Sequence, residues 1–380
     1  MQRSFKWLIA TLPMFTATAV FAQAGAPEKT QAPARTTVDA QMQQVLDAHE
    51  ELQPKPPHTV TPAEARKEPS TTDAVKTLMK KQGKSTTPDM AGLAKVDDTT
   101  LPGPGGDLPV RIYTPEGKGP FPVLVYYHGG GFVLADLDTY DAGPRALAQQ
   151  ASAVVVSVHY RQAPEHPFPA AVDDATAAFR YIQENAAKYN GDPQRVAVAG
   201  ESAGGNLAAV VALRQKRSGG ALPVFQLLVY PFLSNNVKTP SHKANGQGNY
   251  LIGNQDIAWF WRNYLGDGWK KDKNPEALPI YASTKQLKGL PPAMIITAGL
   301  DPLEDDGTAY AKKLELAGVK TELKNYDGVT HEFFGMASVV DTSRQAQADA
   351  ARALKSAFQN TGVGGSGEMH RGDWGMKKRK

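Results

Sequence analysis

The sequence predicts an α/β fold, a mainly parallel central sheet with helices on both faces, preceded by a small helical cap. Three observations predict it. Short unbroken apolar runs recur at residues 123–127, 153–158, 196–199, 225–230 and 293–297. Strands take this form when helices cover both faces of the sheet, so that every side chain is buried. Helical stretches at 170–185, 206–217 and 307–316 lie between those runs, and such alternation builds a parallel sheet. Amphipathic segments also come before any strand signal, and these form the cap.

The elements follow in order. Residues 1–22 read as an export signal: Arg3 and Lys6 open it, residues 7–21 are apolar with scattered Thr and one Pro, and small residues end at Ala22 and Ala24. Cleavage would leave Gln23 or Gly25 first. The stretch is short for a bilayer span, which needs roughly 20 apolar residues; an uncleaved anchor is the alternative. The chain is therefore expected to be exported, to the periplasm or beyond, without stable membrane insertion after cleavage. Residues 23–37, rich in Ala, Pro, Gln and Thr, read as a linker. In the cap, residues 38–94, Val38, Met42, Val45, Leu46 and Leu52 keep close to helical spacing until Pro54 to Pro57 stop it. Thr61-Pro62-Ala63-Glu64 is a capping box with proline at the first helical position. Ala74, Val75, Leu78 and Met79 mark a third amphipathic piece. Leu108, Val110 and Ile112 alternate as a half-exposed strand does, and the sheet then fills residues 95–361. A glycine-rich, basic tail, 362–380, ends the chain, expected to be disordered.

Charge and composition exclude several classes. The 380 residues contain no cysteine, so no disulfide, thiolate metal site or cysteine nucleophile exists. The net charge of +4 sits at the ends: the export signal holds two of those charges and the tail a net three, which leaves the body at −1. A near-neutral body argues against nucleic acid as the partner.

The chemistry gathers at two glycine motifs. Gly200-Glu201-Ser202-Ala203-Gly204 stands directly after one apolar run and before a helical stretch, the setting of a nucleophile elbow. Glycines two before and two after the serine remove side chains that would collide with strand and helix. His128-Gly129-Gly130-Gly131 ends another buried run, and consecutive glycines let backbone N–H groups face a developing oxyanion. The donors assigned are the N–H groups of Gly129, Gly130 and Ala203. A glycine-rich turn without ligand is the bland alternative.

The base follows by elimination. With the order Ser, acid, His, only His242, His331 and His370 lie after Ser202. His370 is in the tail and His242 in an Asn-, Lys- and Gly-rich insertion, whereas His331 follows the last strand-like stretch, 321–326. Asp301, leaving the run 293–300, is the acid, with Asp305 and Asp306 as nearby alternatives. Trp259, Phe260, Trp261 and Tyr264 either pack on the core or line an acyl or alcohol pocket, and Trp259 and Trp261 are the substrate-binding candidates. No metal or cofactor is expected: His331-Glu332 lacks a second histidine four residues on.

These motifs, with Tyr160-Arg161-Gln162-Ala163-Pro164-Glu165-His166-Pro167-Phe168-Pro169-Ala170-Ala171 and Asp301-Pro302-Leu303, make residues from about 38 to 358 resemble the bacterial hormone-sensitive-lipase-like esterases. The resemblance implies an α/β-hydrolase core with an N-terminal helical cap and cofactor-free hydrolysis of short-chain esters. It also places the acid on the aspartate before Pro-Leu. The residue before the serine is commonly Asp in that family and is Glu201 here. Glu165 and His166 are expected to tie a loop together. Two rivals share the motifs: an acyltransferase or amidase with the same triad, and a catalytically silent receptor. Plant gibberellin receptors resemble the family but lack the triad histidine, and retention of His331 argues against the silent reading.

Overall fold

A computed structural model describes residues 37–360. The stretch read above as an export signal, most of that read as a linker, His370 and the basic tail lie outside the described residues. In chain order the elements are helices α1 (Ala40–Glu51), α2 (Pro62–Ala65) and α3 (Thr71–Lys81), then strands β1 (Leu93–Gly103), β2 (Gly106–Pro115) and β3 (Phe121–Tyr127). There follow α4 (Ala142–Ala151), β4 (Val154–Val158), α5 (Ala170–Asn185), β5 (Gly191–Glu201), α6 (Ala203–Ser218) and β6 (Gln226–Val229). The chain continues through α7 (Pro240–Asn245), α8 (Asn254–Leu265), α9 (Thr284–Leu287), β7 (Ala293–Leu300), α10 (Glu304–Leu316), β8 (Thr321–Thr330) and α11 (Asp341–Gln359).

The strands form one sheet in the order β1-β2-β4-β3-β5-β6-β7-β8. β2 runs antiparallel to both β1 and β4, and every later pair is parallel. Side chains alternate across the sheet, so each inner strand feeds two cores. Val123, Val125 and Tyr127 of β3 join a cluster with Phe179 and Ile182 of α5. Leu124 and Tyr126 join the opposite cluster, with Leu147 of α4 and Leu354 of α11. α5 shows why these segments are helices: Val172, Ala175, Phe179 and Ile182 recur at three- and four-residue spacing and are fully buried.

The cap is continuous with the second core. Asp39 caps α1, accepting from the Gln41 N–H at 2.8 Å, and its own N–H donates to the Gly328 carbonyl in β8 at 2.8 Å. Met42, Val45 and Ala48 of α1 and Ala74 and Leu78 of α3 pack in the same cluster as Val229 and Ile296 of the sheet. Thr61 and Glu64 form a reciprocal capping box at α2, and Ser70 with Asp73 forms another at α3. Arg66, at the end of α2, holds Glu165 with two nitrogens (2.7 and 2.8 Å) and the Ala163 and Val133 carbonyls. Glu165 thus ties the 160–171 loop to the cap, and the backbone N–H of His166 donates to the Gln162 carbonyl at 2.9 Å.

Parallel register sets the functional edge. Tyr127 pairs with Gly200, Glu201 with Val229, and Leu300 with Thr330. The residues leaving these strands, His128, Ser202, Tyr230, Asp301 and His331, therefore emerge together at the carboxyl ends of five adjacent strands, where open α/β sheets bind ligands.

Candidate active site

β5 turns into α6 within one residue, and Ser202 takes φ 54° and ψ −117° to do so. Such a conformation costs a non-glycine residue about 1–3 kcal/mol and persists only where its surroundings force it. The surroundings here are glycines. A Cβ on Gly200 would strike the Gly204 carbonyl, and one on Gly204 would strike the backbone of Tyr127 and His128. The strained turn lifts Ser202 off the strand end with α6, sixteen residues long, behind it.

His331 meets Ser202 from the end of β8. Its Nε2 is 2.9 Å from the Ser202 Oγ, and its Nδ1 is 2.6 Å from Oδ2 of Asp301. The carboxylate accepts, so Nδ1 carries the proton and Nε2 offers its lone pair to the serine hydroxyl. Asp301 is fully buried, and its other oxygen accepts the Leu303 N–H at 2.8 Å. Burial works against the imidazolium. The charge and hydrogen bond of Asp301 outweigh it, and with smaller help from Glu332 and Glu201 they raise the His331 pKa above the ordinary imidazole value. The alternatives for the acid are engaged elsewhere. Asp305 accepts the Ser241 N–H, and Asp306, whose pKa burial raises well above the ordinary carboxylate value, accepts the Leu233 and Ser234 N–H groups. His242 pairs with Asn254.

The glycine loop is held from behind. The Tyr160 hydroxyl donates to the His128 carbonyl at 2.9 Å and to the Gly129 carbonyl at 3.1 Å, and His128 Nδ1 donates to the Gly129 carbonyl at 2.8 Å. In a trans peptide the N–H points opposite to the carbonyl, so the N–H groups of Gly129 and Gly130 turn away from Tyr160. Among the described residues neither finds a partner within the chain. The Ala203 N–H, at the first position of α6, has no intrahelical acceptor either. His128 stacks on Tyr160 at 4.5 Å, and burial, followed by the nearby His159, lowers its pKa to about 3. It is a neutral strut. Tyr160 was not legible as a site residue, although it opens the motif that carries the resemblance.

Glu201 also acquires a setting. Fully buried, it accepts hydrogen bonds from the Tyr126 and Tyr230 hydroxyls, and burial, partly offset by those bonds, raises its pKa to about 7. Gly143 of α4 makes the room, because a Cβ there would meet Glu201 Oε1 and the Tyr126 hydroxyl. The Tyr230 ring in turn lies 4.7 Å from the imidazole of His331.

The two tryptophans pack beside the cleft rather than along it. Trp261 is fully buried, packs 4.0 Å from Phe232, and donates Nε1–H to the Ser234 carbonyl at 3.2 Å. Trp259 packs edge-on against Phe260 at 5.3 Å, and neither tryptophan lines the cleft. Helical period accounts for Trp261. Ile257, Trp261 and Tyr264 share the face of α8 that meets the core, while Asp256 and Phe260, one turn apart, face the cleft. That cleft, of about 1230 Å³, reaches the site at Gly130 and Glu332. Its apolar wall comes from Leu46, Leu134, Leu251, Ile252 and Phe260, and its rim from cap carboxylates such as Asp47, Glu50 and Glu68. Among the described residues no group of three or more histidine or acidic side chains is arranged to hold a metal ion.

A nucleophile activated by a base, with unpaired N–H donors beside it, is equipped for acyl transfer. Known proteins agree in kind. A family model described as alpha/beta hydrolase fold matches residues 124–335. The carboxylesterase NlhH of Mycobacterium tuberculosis is 42% identical over 278 residues, 72% of this chain and 86% of that protein. The carboxylic ester hydrolase LipN of the same organism is 45% identical over 63% of this chain, a match spanning 65% of LipN. Among solved structures, a thermostable esterase from Pseudomonas putida superposes with a TM-score of 0.77 at 34% identity, covering 85% of this chain and 98% of that one. The chain belongs to the bacterial hormone-sensitive-lipase-like esterase family of the α/β-hydrolase fold.

Proposed function

We propose that this protein is a serine carboxylesterase acting on short- to medium-chain acyl esters, with Ser202 as nucleophile, His331 as base and Asp301 as the acid that orients it. The single observation that carries the reading is the relay from Ser202 through His331 to Asp301 at 2.9 and 2.6 Å. In this mechanism His331 Nε2 takes the Ser202 proton as Oγ attacks the ester carbonyl. The oxyanion is received by the N–H groups of Gly129, Gly130 and Ala203. The imidazolium, stabilised by Asp301, gives the proton to the departing alcohol. A water molecule, deprotonated by the same nitrogen, then attacks the acyl-enzyme and frees Ser202 with the acid product. Phe260, rather than the tryptophans, supplies aromatic surface to the substrate.

The cleft favours short acyl groups. A methylene gains about 0.8 kcal/mol only where it meets apolar surface, and beyond the wall around Phe260 a growing chain meets the carboxylates of the rim. The test is kcat/KM on aryl esters from acetyl to dodecanoyl, with Ser202→Ala as blank. A rise to butyryl or hexanoyl and a steep fall afterwards is expected. A maximum at dodecanoyl refutes the short-chain reading, and no hydrolysis of the acetyl ester would leave the silent receptor standing.

Export is part of the same proposal. It is supported by Arg3 and Lys6 ahead of the apolar stretch at 7–21, and it makes the mature protein periplasmic or secreted.

A further inference from the structure

Glu332 directly follows His331 and adopts the left-handed conformation, φ 65°, which is costly for any side chain with a Cβ. Its carboxylate is where three parts of the protein meet. Oε2 accepts a hydrogen bond from the Thr71 hydroxyl, at the start of α3 in the cap. Oε1 accepts one from the Tyr140 hydroxyl at 2.9 Å. Tyr140 is itself the wall behind the glycine loop, since a Cβ on Gly129 would run into its hydroxyl. The adjacent Thr72 hydroxyl donates to the Thr139 carbonyl at 2.7 Å, so the start of α3 is fixed to both neighbours at once. The position is half-buried, at the edge of the cleft, and plays no part in the proton relay.

We propose that Glu332 is a positioning residue for the reaction. It is a latch that registers the cap helix α3 and the glycine loop against the imidazole of His331, so that docking of the cap sets the geometry of the base. The left-handed backbone is what turns the Glu332 side chain toward the cap while His331, one residue earlier, points at Ser202. The inference rests on the triad reading, and the experiment separates the two.

The measurement is kcat and KM for a small aryl acetate, in wild type, Thr71→Val, Thr71→Ser, Glu332→Gln and the Thr71→Val/Glu332→Gln double variant, with Ser202→Ala as control and melting temperature recorded for each. Loss of a hydrogen bond to a charged group should lower kcat in Thr71→Val by about tenfold, with KM nearly unchanged. Thr71→Ser, which keeps the hydroxyl, should restore it. Glu332→Gln should lower kcat at least as far, and adding Thr71→Val to it should cost less than about twofold, because both changes break one contact. Glu332→Gln should also move the acidic limb of the kcat/KM profile downward, since Glu332 is one of the groups that raise the His331 pKa; Asp301 remains, and Glu201, with a pKa of about 7, titrates over the same range in both proteins. Tyr230, which also faces it, stays neutral over this range, its pKa raised by burial. Thr71→Val should leave that limb in place.

Wild-type kcat in Thr71→Val, or a loss that adds in full to that of Glu332→Gln, overturns the latch. So does a rise in KM alone. Should Thr71→Val fail to fold, Glu332→Asp decides: one methylene shorter, it cannot span both hydroxyls, and wild-type kcat in that variant overturns the proposal. If Ser202→Ala remains active, the triad reading fails instead, whatever the latch variants do.

Discussion

Asp301→Asn offers the sharpest test of the proposed relay, because the structure dictates which way the amide will face. Oδ1 of Asp301 accepts the Leu303 N–H at 2.8 Å, and Oδ2 accepts the His331 Nδ1–H at 2.6 Å. Asparagine has only one acceptor oxygen. Leu303 presents a fixed donor, so the amide oxygen goes there and the NH₂ group turns toward His331. A donor facing Nδ1 selects the other tautomer, with the proton on Nε2, where it can no longer accept the proton of Ser202. The opposite orientation sets NH₂ against the buried Leu303 N–H, at a cost of about 1–3 kcal/mol. Even the correctly oriented fraction lacks the charge that stabilises the imidazolium. Two unit charges 4 Å apart interact by about 4 kcal/mol at an effective dielectric constant near 20. Together the terms give about 5–7 kcal/mol, or a loss in kcat of roughly 10⁴- to 10⁵-fold at 1.36 kcal/mol per decade. The assay is steady-state hydrolysis of an aryl acetate, with circular dichroism to establish folding. Asp305→Asn, which disturbs only the contact to the Ser241 N–H, should stay within about tenfold of wild type. A folded Asp301→Asn enzyme within about tenfold of wild type, or a larger loss in Asp305→Asn, would refute the reasoning.

Three further outcomes are expected. Ser202→Ala and His331→Ala should each lower kcat by on the order of 10⁴-fold or more, with little added when combined, because the relay acts as a unit; additive losses in the double variant would contradict it. The acidic limb of kcat/KM should lie above the ordinary imidazole value of about 6.5: His331 works unprotonated, its pKa is raised, and activity must fall as pH drops through that raised value. A limb well below about pH 6 would oppose this. Mass spectrometry of protein from a Gram-negative periplasm should find Gln23 or Gly25 at the amino terminus, and an intact Met1 there would reject cleavage.

How far the sequence was legible depended on whether information was local. The inner strands β3 to β7 could be read because burial on both faces leaves unbroken apolar runs, and the elbow because its glycines serve a turn only five residues long. The outer hairpin of β1 and β2 was read only at Leu108, Val110 and Ile112. β1 meets solvent along most of its length, and its Lys95, Asp97, Asp98 and Thr99 hide the two buried anchors, Leu93 and Leu101. α4 escaped because Leu147 is its one large apolar residue, the rest of its buried face being Gly143, Pro144, Arg145, Ala146, Ala148 and Ala151. For the tryptophans of α8 the sequence left core and pocket open, because bulk and aromaticity do not reveal which face of a helix meets the core. Glu201 read as a departure from the family pattern. Its partners, Tyr126 and Tyr230, lie 75 and 29 residues away and come together only through strand register.

The cap shows how a boundary drawn in sequence can mislead about energetics. Residues 38–94 read as an attached unit, and all but the last two precede β1, so on that reading deleting residues 23–84 opens the pocket. The packing denies this. Met42, Val45, Val75 and Leu78 are buried in the cluster that includes Tyr126, Val229 and Ile296 of the sheet. Burying four such side chains contributes roughly 1.5–3 kcal/mol each, about 6–12 kcal/mol in all, as much as the whole net stability of an ordinary domain. The truncated chain should therefore be insoluble or lack a cooperative melting transition, rather than hydrolyse longer esters. Differential scanning calorimetry with an acyl-chain profile checks this, and a soluble, cooperatively folded truncation active on dodecanoyl esters would refute it. Substrates then enter a cleft whose cap wall is anchored from beneath by α1 and α3. Acyl selectivity has to be changed by substitution at Phe260 or Leu134, which line the cleft and pack with the other core, away from the cluster that holds α1 and α3.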